Sequence, residues 1–463
     1  MTMNHMRLRD EVGLQVRYAD QTRYGSGVTG LVDALVARTC APLIALARRE
    51  GPARLVESSA EFMPRMFAAQ ALGGLYSAPD VLREDCLYPA AAQVTPTALV
   101  VRGLGPAGDG SLAVPLHGEA AELAAVVAAL DRGCARPLGG LGARLWDALR
   151  EAGALTRETA DERALGDGVT AVGHATVAVQ HAGVRVVVDP FAVPPLPGDA
   201  QRPLPCRALR PDLVLVTHGH PDHFDLHALL RFGADTPIVV PAVTRESLLS
   251  VDMALRLREL GFRRVIALRW HDSVQVGPFR VVVLPFYGEQ PTAGEFLHPE
   301  ARNLGNTYLI EVAGRRVACI ADAGADAAGD TIAMARAAAR RHGPLDVLFG
   351  GYRAWRLHPI ELLGTSVARY LLQVPRAQWG IRQQLMHDAD DLIAAARAWR
   401  ARTVVPYANG GAPWFARLGL GPHGDDDPSF DPELVTVTQA AARVANAPAV
   451  RPLRPGERME LLA

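Results

Sequence analysis

Short apolar runs bounded by polar turns dominate the chain from about residue 168 onward, and they alternate with longer stretches of helical periodicity. A short run of branched apolar residues between turn residues predicts a buried strand, and apolar residues recurring every three or four positions predict a helix. The predicted strands include 213–216, 281–284 and 317–321, and the predicted helices include 245–260, 331–341, 359–372 and 388–400. Hairpins mixed with helical crossovers predict an α+β fold in which helices cover two sheets.

The first 165 residues have a different pattern. Apolar segments 98–101 and 112–114 flank a glycine-rich turn and predict a hairpin, and helices are predicted at 31–49, 119–130 and 141–152. The charged segment 161–168 ends in Gly-Asp-Gly, which favours a domain boundary. We therefore predict a smaller N-terminal α/β accessory domain, 1–165, and a larger domain, 166–463. The accessory domain is predicted to serve either dimerisation or the recognition of a carrier or substrate.

One polar loop, residues 217–225, directly follows the predicted strand 213–216 and carries three histidines and one aspartate within six positions. These candidate ligands are His218, His220, Asp222 and His223. A glycine and a proline between them restrict the backbone, so the side chains can converge. Imidazole nitrogen and carboxylate oxygen suit zinc, iron and manganese. The loop therefore predicts a metal site, with a histidine-rich polar turn as the alternative.

The composition excludes several classes of partner. The chain has 463 residues, of which 49% are hydrophobic and 21% charged, and its formal net charge is −1. This balance lacks the excess positive charge that nucleic acid or an anionic membrane attracts. No apolar stretch approaches the roughly 20 residues that span a bilayer, and residues 1–23 lack the apolar centre of a signal peptide. Five cysteines without a CxxC pair favour reduced thiols, so we expect a cytoplasmic protein.

The sequence HGHPDH after an apolar strand resembles the signature of the metallo-β-lactamase superfamily. The resemblance implies an αββα sandwich with a two-metal site at the edge of its sheets. In that superfamily the first two histidines serve one metal, and the aspartate and the last histidine serve the other. The pair Gly173 and His174 and the turn Asp189 and Pro190 resemble its opening strands, where the Asp-Pro turn braces the ligand loop. We interpret His174 as a core or supporting residue, with a ligand role as the alternative.

The resemblance also predicts the remaining ligands. The superfamily's next ligand is usually a histidine, but here Glu289 follows the corresponding strand and is predicted to replace it. Asp322 has the position of the carboxylate that bridges the two metals. No histidine lies in 404–411, at the end of the last predicted strand, and His423 has a poorer context, so His387 is the predicted final ligand, with a capping or surface role as the alternative. The predicted set is His218, His220 and Glu289 on metal 1, Asp222, His223 and His387 on metal 2, and Asp322 shared.

This set resembles, in kind and order, the ligands of the CmlA-type diiron β-hydroxylases of nonribosomal peptide assembly lines, over roughly residues 168–425. A hard anionic oxygen donor in place of an imidazole favours iron and oxygen activation. The resemblance implies a non-haem diiron monooxygenase, with two iron ions and O2 as co-substrate, that hydroxylates an amino acid in natural-product biosynthesis. Glu289 and Asp322 are its predicted catalytic residues.

The same resemblance implies the partners. The amino acid is predicted to be tethered to a carrier protein or free, and a homodimer is expected. Electrons must come from an external donor, because no motif for flavin or nicotinamide is present. One alternative is a dinuclear zinc or manganese hydrolase acting as a phosphodiesterase, lactonase or amidase, although Glu289 and the missing terminal histidine point away from it. The other alternative is a metal-bearing recognition protein without turnover.

Overall fold

The computed structural model describes residues 5–19, 75–78, 80–88, 94–105, 108–137, 139–157, 165–192, 204–354, 356–364, 368–408 and 435–461, together with residues 41, 45, 49, 50, 54 and 57. Two seven-stranded sheets form the framework of this part of the chain. None of the helices within it is both long and apolar enough to cross a membrane. The predicted helix 31–49 lies almost entirely outside these residues and stays a prediction.

The first sheet is built around the strand that precedes the ligand loop. Leu213–Leu215 pairs in parallel with Val184–Val188 on one side and with Ile238–Pro241 on the other. The order across the sheet is Val265–Leu268, Ile238–Pro241, Leu213–Leu215, Val184–Val188, Thr176–His181, Gly168–Gly173 and Glu457–Met459. The first four of these strands are parallel, and the last three join antiparallel. The ligand loop therefore lies at the carboxyl edge of the parallel strands, where ligands bind in open sheets of this kind.

The second sheet contains two hairpins, which join Ser273–Val276 to Phe279–Pro285 and Asn306–Val312 to Arg315–Cys319. Its strands are, in order, Ser273–Val276, Phe279–Pro285, Asn306–Val312, Arg315–Cys319, Val347–Gly350, Thr403–Pro406 and Ala449–Val450. The first four pair antiparallel, as hairpin connections require, and the remaining three are added in parallel. The parallel strands need crossover connections, and helices supply them.

Alternation along the strands builds the core between the two sheets. Leu213 and Leu215 face the second sheet, whereas Val214 and Val216 face the helices outside. In the second sheet Val281 packs in the shared core and Val282 packs against the outer helices. Because side chains alternate along a strand, a run of branched apolar residues can fill both layers at once.

Helices cover the outer faces of both sheets. The first sheet is covered by Leu226–Phe232 and Met253–Glu259, and the second by Thr331–His342, Ala389–Ala398 and Val435–Ala442. This arrangement is helix, sheet, sheet, helix. The predicted αββα sandwich is confirmed.

Two predicted helices are shorter than their apolar periodicity suggested. In 245–260 the helix is Met253–Glu259, because the Ser247 side chain accepts hydrogen bonds from the backbone N–H groups of Leu249 and Ser250 and so competes with helix formation. In 359–372 the structure has the 3₁₀ segments Pro359–Gly364 and Ala368–Gln373 instead of one α-helix.

The N-terminal region forms a small unit that packs on the first sheet. Its antiparallel strands are Gly13–Tyr18, Pro96–Leu104 and Gly110–Pro115, and its helices are Leu123–Arg132 and Gly140–Glu151. The N-terminal unit also contains the strand pairs Arg7–Leu8 with Leu155–Thr156 and Tyr76–Ala78 with Val81–Leu82, the helix Glu84–Leu87 and the 3₁₀ turn Ala120–Glu122. The smaller elements in the rest of the chain are the strand pairs Ala325–Asp326 with Gly329–Asp330 and Arg356–Leu357 with Gln383–Gln384, the helix Cys206–Leu209, and the 3₁₀ turns Pro299–Ala301 and Arg376–Gln378. The division at residue 165 stays a prediction, because apolar residues on both sides of it share one core.

A buried ion pair joins the N-terminal unit to the helix that follows the ligand loop. The side chains of Arg231 and Asp131 are 3% and 1% exposed, and the guanidinium donates to the Asp131 carboxylate. Arg231 also donates to the backbone carbonyl of Val12 at 2.8 Å. The bidentate reach of arginine suits this position, because it satisfies acceptors on two elements.

Replacing Arg231 by Ala leaves the Asp131 carboxylate buried without its counter-ion. We expect Arg231→Ala to lower the free energy of unfolding by about 3–5 kcal/mol, measured by urea denaturation. The exposed pair of Arg263 and Asp235 provides the control, because Arg263→Ala removes an ion pair of similar chemistry that is open to water. Equal stability of the two variants would contradict the structural role of the buried pair.

Candidate metal centre

The ligand loop is fixed where it joins the following helix. Asp225 caps Leu226–Phe232, because its carboxylate accepts the backbone N–H of His227 at 2.9 Å. The other oxygen of the same carboxylate accepts the backbone N–H of Ala192 at 3.0 Å. The end of the loop is therefore tied both to the helix and to the segment after Asp189.

Asp189 holds the start of the loop. Its fully buried carboxylate accepts the Thr217 backbone N–H at 2.7 Å and the Thr217 hydroxyl at 2.6 Å. Asp189 Oδ2 also lies 2.8 Å from His223 Nδ1. A carboxylate oxygen at this distance accepts the N–H of an imidazole, so a neutral His223 that carries its proton on Nδ1 directs the lone pair of Nε2 toward the centre. Through these contacts Asp189 braces the ligand loop.

His218, His220 and Glu289 form the first half of the centre. One ligand atom from each lies within 4.8 Å of the other two. Glu289 Oε2 is 2.9 Å from His218 Nε2, and Oε1 is 2.7 Å from His220 Nδ1. His218 Nδ1 lies 3.0 Å from the Thr217 hydroxyl, so the buried Nε2, which faces Glu289, is the atom available to a metal.

A tight turn aims Glu289 at these histidines. Gly288 and Glu289 have φ angles of 94° and 53°, in the region that favours glycine. A Cβ atom on Gly288 would lie 2.4 Å from the backbone nitrogen of Gly324, so only glycine fits there. The Gly288 N–H donates to the Asp326 carboxylate at 2.9 Å, and the Glu289 N–H donates to the Leu385 carbonyl at 2.6 Å. Glu289 is thus part of a formed turn.

Asp222, His223 and Asp322 form the second half. His223 Nε2 lies 3.2 Å from Asp322 Oδ2 and 3.9 Å from Asp222 Oδ2. Asp322 Oδ1 is buried without a hydrogen-bond partner, and Asp322 also groups with His218 and His223 within 4.8 Å. It therefore contacts both halves, which is the position a bridging carboxylate requires. A Cβ atom on Gly351 would lie 2.9 Å from Oδ1, so glycine leaves room for this carboxylate.

The electrostatics of the cluster favour bound cations. Burial alone would raise the pKa of Glu289, but the imidazoles of His220 and His218 outweigh it and lower this pKa to about 2. Burial likewise opposes ionisation of Asp222, yet the His223 and His174 imidazoles lower its pKa. Buried carboxylates that stay ionised need positive charge beside them. Together with the available atoms of His218 and Asp322, this donor set fits two cations with mixed nitrogen and oxygen ligands.

His174 and His387 occupy different positions around the second half. His174, with a side chain only 1% exposed, has Nε2 3.0 Å from Asp222 Oδ2 and groups with Asp222 and His223. His387 is buried, and its Nδ1 has no hydrogen-bond partner; its backbone N–H donates to the carbonyl of Ala323, next to Asp322. Burial lowers the pKa of His387 to about 4, which keeps it neutral. Among the described residues the clustered ligand atoms include His174 but not His387, whose ligand role stays a prediction.

Three supporting residues were not found from the sequence. The Tyr370 hydroxyl lies 2.6 Å from His220 Nε2, and Asn303 Nδ2 lies 3.4 Å from Glu289 Oε2. Thr217 contacts Asp189 and His218, and its place beside the histidine motif was the only signal that could have found it. Tyr370 is 150 residues from His220 along the chain, and no local pattern connects the two.

Comparison with known proteins agrees with this geometry. Residues 184–407 match the family model described as a beta-lactamase superfamily domain. In this region the chain is similar to the metallo-β-lactamase superfamily, as its ligand loop predicted. It is 32% identical over 184 residues to the 4-amino-L-phenylalanyl-CmlP-peptidyl-carrier-protein 3-hydroxylase of Streptomyces venezuelae. That alignment covers 39% of this chain and 32% of the relative, so it spans about a third of the relative's length.

Two further similarities differ in extent. A UPF0173 metal-dependent hydrolase of Methanopyrus kandleri is 46% identical over 55 residues, which cover 12% of this chain and 22% of that protein. The crystal structure of CmlA, a diiron β-hydroxylase from Streptomyces venezuelae, superposes with a TM-score of 0.62 at 18% identity. This superposition covers 99% of each chain. The fold similarity to CmlA therefore includes the N-terminal unit as well as the sandwich.

Replacing Asp189 by Asn should disturb the ligand loop. The amide has one acceptor oxygen instead of two, so either Thr217 or His223 loses its hydrogen-bond partner. We expect Asp189→Asn to weaken metal binding by about 10–100-fold, measured by competition with a chromophoric chelator. Asp212→Asn is the control, because Asp212 is an exposed acceptor for a backbone N–H on the same sheet. Equal affinities of the two variants would show that Asp189 does not support the metal ligands.

Proposed function

We propose that this protein is a non-haem diiron oxygenase that hydroxylates an amino acid held on a carrier protein. The observation that supports this most directly is the position of Glu289. Its carboxylate reaches both His218 and His220, at 2.9 and 2.7 Å, where the superfamily resemblance led us to expect a third histidine. An anionic oxygen atom is a harder ligand than a neutral imidazole nitrogen, so this replacement favours iron over zinc.

The proposed ligands follow the two halves of the centre. His218, His220 and Glu289 would hold one iron, Asp222 and His223 the other, and Asp322 both. His387 remains the proposed additional ligand of the second iron, and the clustered His174 is a supporting residue that orients Asp222. Two irons in this position would supply the activation of O2.

The chain's own residues prepare the site for that chemistry. Thr217 and Asp189 fix the protons of His218 and His223 on Nδ1, so that Nε2 of each ring faces the centre. The side chains of His218 and His223 are fully buried, and that of His220 is 17% exposed. The open side of the first half is therefore beside His220, where a substrate can approach while water is excluded from the other two rings.

The proposed partners rest on the relatives. The name of the Streptomyces venezuelae hydroxylase gives an amino acid on a peptidyl carrier protein as its substrate. By likeness to it, we propose an amino acid tethered to a carrier protein as the substrate here, with a free amino acid as the simpler form. An external electron donor, and the N-terminal unit as a surface for dimerisation or for carrier recognition, belong to the same proposal.

Metal analysis and reaction with O2 test the proposed function directly. Protein purified from iron-supplemented cells should contain about two iron ions per chain. After reduction under nitrogen it should consume O2 in a single-turnover experiment, because the donor set is suited to redox chemistry. Stoichiometric zinc, with cleavage of a phosphodiester, lactone or amide by the protein as isolated, would instead support the hydrolase.

A substitution at Glu289 tests the observation that supports the proposal. Glu289→His restores three imidazoles to the first half, so it should retain metal but lower the rate of O2 consumption at least ~10-fold. Glu295→His is the matched control, since Glu295 is exposed a few residues further along. Unchanged O2 consumption in Glu289→His would remove Glu289 from the set of metal ligands.

A further inference from the structure

Tyr370 contacts a proposed ligand from a segment outside both sheets. It lies in the 3₁₀ segment Ala368–Gln373, it is 4% exposed, and its hydroxyl oxygen is 2.6 Å from His220 Nε2. The corresponding partners of His218 and His223 are Thr217 and Asp189, which belong to the ligand loop and the adjacent strand end. His220 is therefore the ring of the motif whose partner comes from a distant segment.

The other ring nitrogen of His220 determines what this contact does. Nδ1 faces Glu289 Oε1 at 2.7 Å, whereas Nε2 faces Tyr370, so Nδ1 is the nitrogen directed at the first half of the centre. A neutral imidazole carries one proton, so a lone pair on Nδ1 requires the proton on Nε2. The Tyr370 hydroxyl can accept that proton in a hydrogen bond, and its accepting role selects the tautomer that binds metal.

Packing holds Tyr370 in this position. Its ring belongs to a small buried apolar cluster with Leu249, Leu357, Leu362 and Leu385. The guanidinium of Arg369 lies 5.2 Å from the ring centroid, and its Nε donates to the Leu248 carbonyl at 3.0 Å. The carbonyl of Leu385 accepts the Glu289 N–H. The same cluster thus positions the groups that contact the two nitrogens of His220.

Asn303 does not replace Tyr370 in this role. Its Nδ2 lies 3.5 Å from His220 Nε2 and 3.4 Å from Glu289 Oε2. An amide NH2 group only donates, so it can serve the Glu289 carboxylate but cannot accept the proton of His220. Asn303 therefore anchors the glutamate, and Tyr370 remains the acceptor for the imidazole.

We propose that Tyr370 is a positioning residue that fixes the tautomer and orientation of His220 and thereby sets the affinity of the first half of the centre for its metal. This proposal rests on the proposed ligand role of His220. Through His220 the first half depends on a segment outside the two sheets, whereas the contacts of His218 and His223 lie within the sandwich, at Thr217 and Asp189.

Zinc titration of the metal-free protein tests this proposal without any turnover. Competition with a chromophoric chelator should show two tight zinc ions in the parent protein. In Tyr370→Phe, one of them should bind about 10–100-fold more weakly and the other should be unchanged. Tyr18→Phe, on a strand of the N-terminal sheet, is the matched control and should bind both ions as the parent does. Parent-like binding of both ions by Tyr370→Phe would overturn the proposal, and so would equal weakening of both.

A second measurement determines the tautomer of His220 in the parent protein itself. In zinc-loaded parent protein with ¹⁵N-labelled histidine, His220 should carry its proton on Nε2, with a downfield proton resonance that disappears in His220→Gln. This resonance should move upfield in Tyr370→Phe, because the acceptor is lost. A proton on Nδ1 of His220 in the parent protein would overturn the proposal.

These results are separable from the proposed function. A protein that binds two zinc ions, loses one in Tyr370→Phe and shows no reaction with O2 in its iron form would keep Tyr370 as the positioning residue while rejecting the oxygenase. A protein that consumes O2 but binds both zinc ions equally well with and without the Tyr370 hydroxyl would keep the oxygenase and reject the role of Tyr370.

Discussion

The carboxylate of Asp189 is the contact on which the metal centre depends. A fully buried anion is costly unless its hydrogen bonds are satisfied, and here the Thr217 N–H, the Thr217 hydroxyl and His223 Nδ1 all donate to it. These donors fix the first residue of the ligand loop and one of its imidazoles at once. Thr217 in turn sets the tautomer of His218. One carboxylate at the end of Val184–Val188 therefore orients two of the three motif histidines.

Strained backbone conformations occur at the same place. His174, Asp189, Glu289 and Ala321 all have positive φ angles, between 42° and 53°, although none is glycine. Such conformations cost free energy and persist only where the surrounding structure enforces them. Each of these residues lies beside or within the cluster of ligands. The sandwich therefore provides a rigid frame, and the strained turns at its edge are what brings carboxylates and imidazoles from four separate segments together.

Sequence reasoning succeeded where the chemistry is local. The strand 213–216 and the loop that follows it could be predicted because the apolar run and the ligand residues are adjacent in the sequence. The αββα arrangement was predicted from the resemblance of this loop to the metallo-β-lactamase signature. Glu289 was identified by its place after a strand, and the structure brings it to His218 and His220. Tyr370 and Asn303 were missed because their contacts join segments far apart in the chain. The helix 245–260 was overextended because side-chain capping by Ser247 competes with periodicity.

The N-terminal unit also helps to hold the ligand loop in place. The helix Leu226–Phe232 begins where the ligand loop ends, and it is held on its far side by the N-terminal unit. His227 Nδ1 accepts the backbone N–H of Leu14 at 2.8 Å, and Arg231 reaches both Asp131 and the Val12 carbonyl. Because a buried, neutral His227 is needed to accept that N–H, the contact is specific rather than merely apolar. The ligand loop is therefore fixed at its start by Asp189 and, through this helix, at its end by a unit that contributes no ligand. A partner that binds the N-terminal unit would act on a surface already connected by hydrogen bonds to the metal centre.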